Sequence, residues 1–159
     1  MREYIKYLAE QHSLVHHDDN GECHFSSLSE EAQNLFARKM HYPCVVYSAG
    51  DIDFAHASSI STAQREVTIL FLDHCKDSGN YNLIRHIFDS TEKIMKDFMA
   101  RMERDKRKSV QPIRRFNYDG AEAHQIYLES AGLYGWALIF MLAEPFFTGD
   151  CDSIFDDKQ

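Results

Sequence analysis

The chain has 159 residues, 44% of them hydrophobic and 26% charged, and its 17 Lys and Arg against 25 Asp and Glu give a net charge of −8. That length suits one domain whose core hides about two-thirds of the unfolded surface, and the composition excludes a disordered chain. The negative balance disfavours nucleic acid and anionic lipid; the longest apolar run, Trp136 to Ala143, is far short of the ~20 residues of a membrane helix; and four cysteines without a CxxC pair exclude zinc-ribbon and thioredoxin-like readings.

The opening MREYIKYLAEQ lacks the apolar stretch of a secretory signal, so free thiols in a reducing cytoplasm are expected. Residues 3–16 read as a helix, with Ile5, Leu8 and Val15 near one face and His12 on the same stripe. His16 to Gly21 is a polar turn. A second helix is expected from Ser27 or Ser29 to Met40. Ser27 and Glu30 have capping-box spacing, Ala32, Leu35, Phe36 and Met40 keep the helical period, and Tyr42-Pro43 ends it. Cys44 to Tyr47 then reads as a strand, Ala49-Gly50-Asp51 as a turn, and Ile52 to Ala55 as a short continuation. Glu66 to Leu72 is apolar almost throughout, which predicts a strand covered on both faces.

Asp77 to Asn80 is turn chemistry. The long helix from Tyr81 to Lys108 follows, with Ile84, Ile87, Phe88, Ile94, Met95, Phe98 and Met102 on one stripe. Strands are expected at Ile113 to Tyr118, Ala123 to Glu129 and Leu133 to Ala143, with a turn or bulge at Ser130 to Gly132. Residues 149–159 form an acidic tail after a single domain spanning residues 1–148. The order α-α-β-β-α-β-β-β predicts an α+β fold: a mostly antiparallel sheet packed by one long central helix, with two N-terminal helices.

Three groups of residues carry candidate chemistry. His12, His16, His17, Asp18, Asp19, Cys23 and His24 crowd the first loop. His12 and His16 lie one helical turn apart, a spacing that can aim two imidazoles at one metal, with Asp18, Asp19 or His24 available to complete the shell, so a small metal-dependent enzyme or sensor is an alternative reading. A polar helix end running into a solvated turn explains the same residues. The segment 101–115 holds Arg101, Arg104, Lys106, Arg107, Lys108, Arg114 and Arg115, which suits docking on an acidic protein partner. It has no aromatic interleaving before Phe116, so a nucleic-acid adaptor is the weaker reading. The final strand is apolar on both faces, and Tyr134 and Trp136 are candidates for partner contact. No HExxH, GxSxG, phosphate loop or glycine fingerprint occurs, and His74-Cys75, adjacent on a strand, point to opposite faces. No catalytic residue and no cofactor is expected.

The element order, on Met1 to Val15, Val67 to Leu72, Tyr81 to Lys108 and Tyr134-Gly135-Trp136, resembles small phage and prophage neck or tail proteins of the tail-terminator type. The Ser27–Met40 helix is an addition to that pattern. The resemblance implies a ring-forming structural protein without catalysis, a homo-oligomer found in the cytoplasm or assembled into a phage-like particle. Its basic segment would meet the acidic tail of a neighbouring copy.

Overall fold

The structure, a computed structural model, describes residues 1–27, 40–57, 60–110, 112–116 and 119–145, with the side chains of 53–62, 115, 144 and 145 left aside. The expected Ser27–Met40 helix falls on residues 28–39, outside the described residues, as does the acidic stretch 150–157. Two helices, α1 (Arg2–Gln11) and α2 (Tyr81–Arg107), pack on one sheet of five strands: β1 (Phe25–Ser27), β2 (Cys44–Ala57), β3 (Ile60–His74), β4 (Glu122–Leu128) and β5 (Leu133–Pro145). The strand order is β1-β2-β3-β5-β4, antiparallel throughout except for the β1–β2 pair. The α+β class, the mostly antiparallel sheet and the long central helix are therefore as expected, with one N-terminal helix among the described residues.

Helix α2 starts on Asn80, whose side chain accepts the Leu83 N–H at 3.1 Å, and ends with Arg104, Lys106 and Arg107 in the last turn, where the dipole favours cations. Its stripe of Ile94, Met95, Phe98 and Met102 meets Ile5, Leu8 and Ala9 of α1, together with Val45, Tyr47, Val67, Ile69, Phe71, Leu138 and Phe140 of the sheet. Each of these larger side chains contributes roughly 1.5–3 kcal/mol by leaving water. The opposite sheet face buries Cys44, Val46, Leu72 and Leu133, with Met40, Tyr42, Leu70 and Ile126 against them, so β3 is covered on both faces.

Four local expectations are corrected. Helix α1 stops at Gln11 rather than running to residue 16, because the His12 ring Nδ1 accepts the Leu14 N–H at 3.2 Å and the backbone turns extended there. Ser27, read as a helix cap, is the last residue of β1, and its Oγ accepts from Arg2 Nε at 3.2 Å. Ala49-Gly50-Asp51 does not turn the chain. Gly50 and Asp51 together oppose Glu66 alone, a bulge inside one 14-residue strand. Ile113–Arg115 is a 3-10 turn rather than a strand. Ile113 and Phe116, three residues apart, are both fully buried; a strand would send them to opposite faces, whereas a 3-10 turn keeps them on one side. Phe116 then forms a β-bridge to Leu142 and sets its ring edge-on to Phe140 at 4.9 Å.

Candidate functional site

The first loop does not gather His12, His16, Asp18 and His24 around a common point. His12 turns to α2, with Nε2 3.4 Å from Asp97 and its ring 5.6 Å from Phe98. His16 is exposed in a left-handed backbone conformation at φ 49°. Asp18 accepts the Asn20 N–H at 2.9 Å, and His24 Nδ1 donates to the Pro43 carbonyl at 2.8 Å.

A different trio does converge: one ligand atom each from Glu10, His17 and Asp19 lies within 4.8 Å of the others. Its chemistry is already satisfied. Buried His17 accepts the His24 N–H on Nδ1 at 3.2 Å, so its neutral ring carries the proton on Nε2 and donates to Asp19 at 3.0 Å. The ammonium of Lys6 pairs with Asp19 and lies 4.0 Å from Glu10. That hydrogen bond holds the Asp19 carboxyl below its ordinary range, and Lys6 is raised in turn. A metal would have to displace both the Nε2 proton and the lysine. The trio is a latch between α1 and the loop, with Lys6 in the cation's place.

Beside it, Leu8, Gln11, His12, Asp97, Phe98 and Arg101 line a cleft of about 130 Å³ between the helices. That is well below the ~300–1,000 Å³ of ordinary ligand pockets. It has room for a few waters, at roughly 30 Å³ each.

The basic segment divides. Arg101 is half-buried and tied to the fold: its Nε donates to the buried carboxylate of Asp105 at 2.8 Å, and its guanidinium lies 5.9 Å from the Tyr7 ring centre. Arg104, Arg107, Lys108 and Arg114 are exposed. Arg107 pairs with Glu103 at 3.3 Å, and Arg104 lies 3.9 Å from Asp105, so the patch is partly neutralised by its own helix. Arg115 closes the 3-10 turn with its backbone. Tyr134 and Trp136 are occupied inside: Tyr134 is buried, and Trp136 Nε1 donates to the Phe88 carbonyl at 3.1 Å. Both aromatic rings face α2, Tyr134 fully buried there and Trp136 half-buried.

Among the described residues the sheet has two edges, and they differ. β1 is three residues long. β4 is seven residues long, exposed at every position except half-buried Ile126, and pairs only with β5 among the described residues. Its β5 register runs unbroken from Glu122↔Ile139 to Leu128↔Leu133. The strand reads Glu-Ala-His-Gln-Ile-Tyr-Leu, without the lysine, proline or bulge that commonly blocks an open edge. Apolar groups flank it on both faces: Tyr127, 55% exposed, over the helix layer, and Leu128, 43% exposed, on the other side.

No family model, curated protein or solved structure matches the chain.

The β4 edge was not among the expected site residues, although alternation had marked 123–129 as a strand. Its open side follows from β5 returning between β3 and β4, a long-range pairing that strand periodicity does not encode. The one local sign was the absence of lysine and proline in a strand of mostly uncharged residues.

Proposed function

We propose that this chain is a non-enzymatic assembly protein that acts through self-association, in the manner of the phage and prophage neck or tail proteins its element order resembles. The observation that carries this reading is the β4 edge. Among the described residues this seven-residue strand pairs on one side only, so the backbone groups on its other side form a template for another strand, and exposed Tyr127 and Leu128 supply apolar area on either face of it. The exposed arginines at the end of α2 are a second, charge-led candidate surface, which would steer encounter rather than supply the bulk of the affinity.

Sedimentation velocity from about 1 to 300 μM at 150 mM salt tests the reading. The expected result is a concentration-dependent shift from monomer to oligomer. A single monomeric species across the whole range would overturn it.

A further inference from the structure

Resting on the self-association reading, we infer that β4 pairs with β4 of a second copy, antiparallel, about a two-fold axis through Gln125, so that two five-stranded sheets run on as one. Several observations select this occupant and this register.

Glu122–Leu128 has seven residues with Gln125 at its centre. Among self-pairings, only the register centred on Gln125 pairs all seven. It places residues of like facing opposite each other. On β4, Ala123, Gln125 and Tyr127 share the face of Leu138, Trp136 and Tyr134, their β5 partners, which is the helix side; Glu122, His124, Ile126 and Leu128 share the other. Pairing about Gln125 matches each position with one of its own face, so the α2 helices of both copies lie on the same side of the joined sheet.

The side chains opposite one another also fit. Tyr127 of one copy lies across from Ala123 of the other, a large ring over a methyl group, and that ring already leans on Phe88 at 4.9 Å. On the other face, Ile126 lies across from His124 and Leu128 from Glu122. No like charges meet. The two Glu122 carboxylates sit at opposite ends of the junction, six residues or roughly 20 Å apart, more than two Debye lengths at physiological salt. Each stays paired with its own His124 at 2.9 Å.

Cysteine cross-linking in the 159-residue chain carrying Cys23→Ser and Cys151→Ser reads the register directly; Cys44 and Cys75 are buried. Directly opposed antiparallel residues have Cα atoms about 4.5–5.5 Å apart, within the span of a disulfide. Gln125→Cys is therefore expected to give an intermolecular disulfide under mild oxidation. Ala123→Cys alone is expected to give none, because its copies are about four residues or 13 Å apart, but a mixture of Ala123→Cys with Tyr127→Cys is expected to link. A lysine on the exposed edge, His124→Lys, is expected to weaken association at least tenfold in sedimentation while the circular dichroism spectrum stays native. Equal self-linking of Ala123→Cys and Gln125→Cys, or oligomers that form undiminished in His124→Lys and leave Gln125→Cys unlinked, would overturn the β4 register yet leave self-association standing. Wild-type chain that stays monomeric would remove both.

Discussion

Asp105 carries a buried polar contact between the two helices, and it sets a definite response to acid. Its carboxylate is 4% exposed and accepts from Tyr4 Oη at 3.1 Å and from Arg101 Nε at 2.8 Å. Burial pushes the carboxyl upward, but the hydrogen bonds from Arg101 and Tyr4 outweigh it, and the group titrates below its ordinary value. The Tyr4 hydroxyl is raised, first by burial and then by Asp105 itself. A carboxyl depressed on folding contributes stability that is fully present above the unfolded pKa of about 3.9 and is lost as pH falls through the lower folded value. Asp105→Asn keeps the shape and removes the charge. Urea denaturation at pH 7 is expected to show a loss on the order of 1–3 kcal/mol, since a buried network loses its charged acceptor. Between pH 4 and 3 the variant is expected to lose less further stability than the wild type. Parallel acid profiles for the two proteins would show that Asp105 is not held down in the fold.

At the scale of elements, β5 depends on one glycine. A methyl group added at Gly135 would lie 1.9 Å from the Phe71 carbonyl oxygen and 3.1 Å from the Leu72 Cα, backbone atoms of the neighbouring strand that cannot step aside. Gly135→Ala is expected to separate β3 from β5, costing about 3 kcal/mol or preventing folding, toward the upper end of over-packing penalties. Trp136, the single tryptophan and next in the strand, reports the event through its fluorescence. A melt within two degrees of wild type, where ~1 kcal/mol moves a domain of this size by about 2–4 °C, would refute that constraint. The elements that sequence exposes are those whose pattern repeats. α2 keeps its stripe from Ile84 to Met102, roughly five turns, and β3 and β5 are apolar over many consecutive residues. What sequence hides is decided by partners. β1 has only three residues and exists because Phe25–Ser27 lies along Val45–Tyr47. The Gly50-Asp51 bulge resembles a turn until Ile52 is seen to resume pairing with Arg65. The metal reading grouped His12 with His16 by helical spacing, yet α1 ends before His16, and the loop brings Glu10, His17 and Asp19 together instead.

For the whole molecule, net charge and the two candidate contact surfaces make opposite demands on salt, and this separates them. The chain carries −8, so two copies repel at long range. Contact through β4 brings together a strand with one acidic residue, Glu122, and no lysine or arginine, flanked by Tyr127 and Leu128, so its attraction is backbone pairing and apolar burial, which screening does not weaken. Raising salt from 10 to 150 mM shortens the Debye length from about 30 to 8 Å. That removes the mutual repulsion and leaves the attraction, so association through β4 is expected to tighten a few-fold over this range. Contact led by Arg104, Arg107, Lys108 and Arg114 on an acidic surface of a neighbour would respond the other way, since screening then removes the attraction itself. Equilibrium sedimentation at 10, 50, 150 and 300 mM sodium chloride distinguishes the two by the sign of the slope. Weakening with salt, abolished in a variant with Arg104, Arg107 and Arg114 all changed to Gln, would transfer the assembly surface from the sheet edge to the end of α2. Tightening that persists in the same variant would keep it on β4, because those arginines would then contribute nothing that salt can screen.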